Sequence, residues 1–573
     1  MPVHRSSFTG PPDEVISVLV RRAEILAAPS AVGVGPGPGT ARTGLVDVRL
    51  AGGTVAEIGP PGRRLDRHPG EEEVDAAGGA LLPGLHDHHL HLMSLAASMA
   101  SVFLGPPAVT DAREFAERLG EAAGAARRSP HGGWVRGIGY HPATAGDLDR
   151  WALDALTGDV PTRVQHRGGA LWVLNSAALR EVGLSPHAGT GASAGAGEGI
   201  ERTPAGTPTG RLWRLDSWLA ARVPRVAVDL GALGQAALAA GVTGFTDATP
   251  ERRPSDRAAL AEAVAAGVLP QRLTLMRSCA ETAETERPVR PETPGSDGAR
   301  APGGTAEGPG SRRQPRLTAG PLKIMLDDTD LPDPDSLAER IRAAHRSGVP
   351  VAVHCVTRVQ LVVALAAIES ARSRVGDGPA SPTGSTGSTG PSSPSSPSSL
   401  VPGRPADRIE HGAVIPPELA ALIRAAGLTV VTQPNFVAER GDAYLAEVDP
   451  DDIPWLYPCR SLLAAGIAVA AGTDAPFGHP DPWRAVRAAV HRRTPAGTLL
   501  GAAERVDGRT ALDLFLGPPD DPARPRRITQ GMPADLCLLR LPLDEALTDP
   551  QATDVVATFV DGTLAYSSGS AGL

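Results

Sequence analysis

Hydrophobic positions along this chain follow two rhythms. Near both ends they alternate with polar or small residues. Val46, Val48 and Leu50 do so, the period-2 pattern of a half-buried strand. Residues 15–26 and 45–59 read as short strands, separated by a Gly/Pro-rich loop over 29–43. Ala534-Asp535-Leu536-Cys537-Leu538-Leu539 and residues 555–566 read the same way. Between the ends, short apolar runs alternate with Ala/Leu/Arg-rich helical stretches, the βα rhythm of a parallel sheet. Eight such runs can be counted: 80–85, 241–246, 272–276, 321–326, 351–354, 407–411, 428–433 and 467–474. That is the count of a (β/α)8 TIM-like barrel.

The predicted architecture is therefore α/β: a barrel, a small β-sandwich built by both termini, and an insertion after the first barrel strand. Residues 1–79 and 501–573 supply the sandwich, 80–93 and 226–500 the barrel, and 94–225 the insertion. Segments 190–208, 281–314 and 376–404 are rich in Gly, Pro, Ser, Thr or charge and read as solvated loops. The last two, one of them carrying Ser-Pro and Ser-Thr-Gly repeats, read as disordered.

Composition narrows the function classes. A chain of 573 residues with 41% hydrophobic content has ample material for a large core. A net charge of −9 and 3% aromatic residues imply neither a basic face for nucleic acid nor base-stacking platforms. The cysteines Cys279, Cys355, Cys459 and Cys537 form no Cys-x-x-Cys pair, so neither a disulfide scaffold nor a thiolate zinc site is indicated. Residues 1–14 lack a basic-then-apolar signal pattern, and no apolar run is long enough to cross a bilayer. The expectation is a cytoplasmic protein, with a small-molecule partner, no nucleic-acid or membrane partner, and a homodimeric assembly.

The chemistry gathers at the ends of the apolar runs. Leu81-Leu82-Pro83-Gly84-Leu85 leads into His86-Asp87-His88-His89-Leu90-His91. Side chains alternate along a strand, so His89 and His91 project from one face. Two neutral imidazole nitrogens side by side suit a divalent metal. Lys323, His354, His411 and Asp474 also lie in or end apolar runs. The C-terminal strand ends of a parallel barrel converge on one mouth, which brings all six residues to a single pocket.

Several segments resemble one known family. Pro83-Gly84-Leu85-His86-Asp87-His88-His89-Leu90-His91 is similar to the opening motif of the amidohydrolase superfamily, in its YtcJ-like, family 3 branch. Trp134-Val135-Arg136-Gly137-Ile138-Gly139-Tyr140, Leu174-Asn175-Ser176-Ala177-Ala178-Leu179, Arg408-Ile409-Glu410-His411, Gln433-Pro434, Gly472-Thr473-Asp474-Ala475-Pro476 and Gly531-Met532-Pro533-Ala534-Asp535-Leu536 resemble later ones. The resemblance implies that His89 and His91 bind one metal and that Asp474 touches it and takes the proton of the attacking water. It implies that N6-carboxylated Lys323 bridges to a second metal on His354 and His411. Zinc, as one or two ions per chain, is the implied cofactor. The implied reaction is hydrolysis of a non-peptide carbon–nitrogen bond in an N-substituted amide or formamide. Deamination of a cyclic amidine, or a non-catalytic ligand-binding barrel, stands as the alternative.

One segment departs from the family. A Gly-His-like pair is expected before Asn175-Ser176, but this chain has His166-Arg167-Gly168-Gly169-Ala170-Leu171-Trp172. Tyr140, Trp172 and Gln433 are candidate substrate contacts, with core packing the plainer reading of the two aromatics. Cys355 should face away from its neighbour His354 and take no catalytic part. His86 and His88 have the wrong parity for the His89 face and read as packing groups, Asp87 as a group that orients a ligand histidine, and Asp327-Asp328 as loop caps.

Overall fold

Runs such as Thr429-Val430-Val431-Thr432 and Val351-Ala352-Val353 are apolar or β-branched at every position, as strands buried on both faces require. A computed structural model describes residues 17–26, 44–106, 108–128, 133–184, 199–224, 228–279, 315–373 and 406–569. Eight of its strands pair in parallel, in chain order: β1 (Leu85–Leu90), β2 (Val242–Asp247), β3 (Arg272–Arg277), β4 (Leu317–Ile324), β5 (Val351–Cys355), β6 (Arg408–His411), β7 (Thr429–Thr432) and β8 (Ala468–Ala471). Helices such as Pro334–Arg346 and Arg358–Ser373 connect them. The predicted parallel α/β barrel is thus present as a nearly closed sheet.

β1 and β8 are the two ends of the ladder. Asp87 joins them: its carboxylate accepts the Thr473 N–H at 3.0 Å and the Thr473 hydroxyl at 2.5 Å. The backbones also approach closely there. A Cβ on Gly472 would stand 2.5 Å from the backbone nitrogen of His89, so only glycine fits.

The first predicted strand needs correction. Ala80–Pro83 is not in the barrel; it pairs antiparallel with Leu536–Leu539, and the barrel strand starts at Leu85. The chain changes sheets at Gly84, where a Cβ would stand 2.3 Å from the Thr243 side chain. Strands from both ends of the chain share one eight-stranded sheet, in the order Thr563–Ser567, Val555–Val560, Leu536–Leu539, Ala80–Pro83, Val18–Ile25, Val46–Ala51, Thr54–Ile58. Glu72–Asp75 pairs with Val18–Ile25 as well. Val18, Val48, Leu50, Leu536 and Phe559 meet in its core.

Between β1 and β2 lies a third sheet: Ile200–Arg202, Pro208–Trp213, Leu171–Leu174, Thr162–His166, Val135–Tyr140 and Val102–Phe103. Alternation sends Val164 and Val173 to a core with Phe115 and Leu119, and Trp172 and Leu174 to another with Leu179 and Leu212. The described part of the predicted loop 190–208 includes the strand Ile200–Arg202. Segments 281–314 and 376–404 lie outside the described residues. Two compact units result. One comprises Met1–Leu90, Gly234–Thr473 and Pro480–Leu573; the other comprises His91–Leu233 and Asp474–His479. Among the described residues, no helix is long and apolar enough to cross a membrane.

Candidate metal centre

In the first unit, the C-terminal strand ends gather His89, His354 and His411. The His411 ring lies 4.6 Å from His89 and 4.5 Å from His354, centroid to centroid. Both His89 and His411 are buried, and each is held through Nδ1. His89 Nδ1 is hydrogen-bonded to Glu410 Oε2, and Glu410 Oε1 accepts from Arg408 Nε at 2.8 Å. His411 Nδ1 pairs with Gln433 Oε1 at 2.9 Å, while the Gln433 amide nitrogen donates to the Val431 carbonyl. With Nδ1–H engaged by an oxygen, the lone pair of each ring resides on Nε2, the tautomer a metal ligand needs.

Electrostatics favour the same state. Burial pushes His411 well below the ordinary histidine range, and His354, His89 and Lys323 push it further down. The ring is neutral at neutral pH and able to ligate. Lys323, 3% exposed, sits in β4 beside β5, in register with Ala352. His411 also adopts φ +68°, a left-handed conformation costing about 1–2 kcal/mol for a non-glycine residue. Such backbone outliers cluster at functional sites.

In the second unit, His91 Nε2 lies 3.2 Å from Asp474 Oδ1. The His91 N–H donates to the Ala475 carbonyl at 2.8 Å, which ties the two segments together. Two ligand atoms on one tetrahedral zinc ion, each at about 2.0–2.1 Å, stand about 3.3 Å apart. The pair therefore has the spacing of two ligands on one ion. Asp474 also has a left-handed backbone, φ +55°. Phe477 meets the His91 ring edge-on at 5.5 Å. Gly169 (φ +81°) abuts Phe477, where a Cβ would stand 2.6 Å from the ring. The nitrogen and oxygen donors of the two units are those that zinc and similar divalent ions take.

Other candidates have different places. Tyr140 is buried in the insertion's core; its hydroxyl donates to the Gly146 carbonyl and accepts from the Leu148 N–H. Trp172 is buried as well and donates to Asp216 at 2.8 Å. Gln433, read as a substrate contact, is buried with its amide oxygen on His411. Asp87 holds His89 by the backbone N–H at 3.1 Å, while the ring belongs to Glu410. Burial raises the Cys355 thiol far above its ordinary value, so it supplies no thiolate. His86 and His88 are buried with rings 4.6 Å apart. Asp327 caps its own loop on Thr329. Asn175 in the Asn-Ser motif is a helix cap: its Oδ1 accepts from Ala178 and Thr162 N–H. Glu410 went unassigned in the sequence reading, although its place between Arg408 and His411 on a buried strand carried the signal.

The family comparisons fit this arrangement. The profile of the amidohydrolase family matches residues 72–566. The chain is 26% identical to the N-substituted formamide deformylase of Arthrobacter pascens over 568 residues, covering 91% of this chain and 94% of that one. It is 24% identical to the putative amidohydrolase YtcJ of Bacillus subtilis (strain 168) over 452 residues, covering 74% and 76%. The crystal structure of an uncharacterized metal-dependent hydrolase from Pyrococcus furiosus shares the fold, with a TM-score of 0.60 at 18% identity, covering 94% of this chain and 100% of that one. Parallel barrel, histidine-rich strand ends and a family match across most of its length lead to one conclusion: the chain belongs to the amidohydrolase family, in its family 3, YtcJ-like branch, and is a hydrolase acting on carbon–nitrogen bonds other than peptide bonds.

Proposed function

We propose that this protein hydrolyses an N-substituted amide, with an N-substituted formamide as the first choice. His89, His91 and Asp474 would hold one divalent ion, zinc by donor chemistry. His354, His411 and N6-carboxylated Lys323 would hold a second. The carrying observation is the 3.2 Å separation of His91 Nε2 and Asp474 Oδ1. His89 precedes His91 by two residues on the same run of chain. The substrate class is supported by the formamide deformylase relative, which aligns along nearly its whole length.

A bound divalent ion supplies an acidified water and a polarised carbonyl. The chain's residues do the rest. Asp474 takes the proton of the attacking water on a carboxylate oxygen and delivers it to the leaving nitrogen. Glu410 fixes the tautomer and plane of His89, and Gln433 does the same for His411. Lys323 as an ammonium has no lone pair to offer. Addition of its neutral amine to carbon dioxide, with loss of one proton, gives a carbamate with two ligating oxygens.

The test is formate release from a panel of N-substituted formamides by metal-loaded protein. Asp474→Asn should keep most of its metal, because the amide still offers one oxygen. It should lose about 10²–10⁴-fold in turnover, because the amide accepts no proton. Parent-level turnover in that variant would remove Asp474 from the chemistry. Ammonia released from a cyclic amidine, with no formate from any formamide, would move the reaction to deamination.

A further inference from the structure

A second charged cluster lies in the inserted sheet. Arg136 and Arg163 are register partners on adjacent parallel strands. Arg163 is 8% exposed, and its Nε is shielded from solvent with no hydrogen-bond partner. Its guanidinium stands 5.0 Å from the centre of the Trp172 ring, and that of Arg136 stands 5.4 Å from the same ring. Arg136 is anchored by hydrogen bonds to the Ala97 carbonyl at 3.1 Å and the Ser101 hydroxyl at 2.6 Å. Trp172 donates to Asp216, which is exposed, so the cluster reaches the surface on that side.

This is an expensive arrangement for a protein alone. A buried cation loses its hydration at a large cost. Stacking on an indole returns only part of it. Burial lowers both arginines to about 10, so both remain charged at neutral pH. Two guanidiniums beside one carboxylate leave a single positive charge, which one monoanion neutralises. A planar carboxylate matches the guanidinium fork.

We infer that Arg136, Arg163 and Trp172 form a receptor for an organic monocarboxylate. The carboxylate oxygens accept from the Arg163 and Arg136 guanidiniums, which the buried Trp172 ring holds in place, and the body of the acid lies toward the exposed Asp216 side. A carboxylate carried by the substrate and a separate organic acid present the same group. Only assignment to the substrate rests on the hydrolase reading; binding itself does not.

Benzoate, with uncharged benzamide as control, is titrated by calorimetry into the full-length, metal-loaded protein. Benzoate should bind saturably and benzamide should not. Arg163→Gln should weaken benzoate by about 10- to 150-fold, the loss of a charge-assisted hydrogen bond. Arg163→Lys keeps the buried charge but loses the fork, and should also weaken it. Binding should survive His89→Ala, which removes a metal ligand. Equal affinity in parent, Arg163→Gln and Arg163→Lys would overturn the receptor. So would binding abolished by His89→Ala, which would place benzoate on the metal. The source follows from the ratio of KM for a formamide bearing a carboxylate to that for a neutral one. A ratio that shifts in Arg163→Gln assigns the group to the substrate. An unchanged ratio with Arg163-dependent benzoate binding assigns it to a separate acid.

Discussion

His89 and His411 each have Nδ1 bonded to an oxygen, from Glu410 and Gln433 respectively, which in the proposed site leaves Nε2 to ligate. Glu410 serves His89 with one oxygen and Arg408 with the other, and a glutamine there offers a single oxygen for both, so the ligand stays in place but its aim loosens. Glu410→Gln should therefore fold and should lose about 10- to 100-fold in metal affinity. A metal titration with an indicator of known affinity reads this, and parent affinity in the variant would exclude the role. Lys323→Ala should lose metal and activity together. Acetate or propionate should then restore part of both by returning an oxygen pair. The same acids should do nothing for His354→Ala, where the missing donor is a nitrogen. Full metal occupancy and activity in Lys323→Ala would contradict the carbamate. At this scale the candidate ligands stood out in the sequence because a histidine, lysine or aspartate ending an apolar run is unusual chemistry in a strand. Glu410 was not singled out: its place on a buried strand marked it as unusual, but its pairing with His89, 321 residues away, is set by the fold. Tyr140 illustrates the converse: an aromatic in a family motif can serve as core.

Asp407, at the start of β6, shows how one buried carboxylate fixes several elements. It accepts from the Val351 N–H of β5 at 2.9 Å, from His345 Nε2 at 2.9 Å and from Arg372 Nη2 at 2.7 Å. Burial alone would raise its pKa, but the His345 hydrogen bond and charge, the Val351 N–H and the Arg372 charge outweigh this and hold it below the ordinary value. A carboxylate depressed in the folded state stabilises the fold above its unfolded pKa of about 3.9, and the contribution is lost as pH falls through the folded value. Asp407→Ala should cost about 1–3 kcal/mol at neutral pH, the penalty of leaving the buried Val351 N–H without its acceptor, because Arg372 and His345 can still reach solvent. It should also flatten the acid limb of the stability curve, as denaturant melts at a series of pH values would show. An unchanged acid limb would assign that limb to other carboxylates. Gly84→Ala tests the passage between sheets. Its Cβ would collide with Thr243, and overpacking of this kind costs about 1–3 kcal/mol. The Pro83-Gly84 step was visible in the sequence as punctuation. The apolar residues on either side read as one strand, because periodicity does not say which sheet a run joins.

Over the whole molecule, the barrel was legible from its βα rhythm: seven of the eight counted runs coincide with barrel strands, and the first, 80–85, reaches its barrel strand only at Leu85. The inserted sheet was visible only as a stretch that broke the count, since mixed pairing of short strands leaves no single period. The carboxylate joining β1 to β8 was invisible, because the two segments it links are separated by 386 residues. If this amidohydrolase works through a divalent ion on histidine and carboxylate donors, that ion is found by elemental analysis of metal bound per chain, in parent and His89→Ala proteins purified and dialysed side by side. The parent should hold at least one divalent ion, zinc by preference, and a folded His89→Ala should lose it. Equal metal in the two proteins, or an active parent holding none, would contradict this role of the ion.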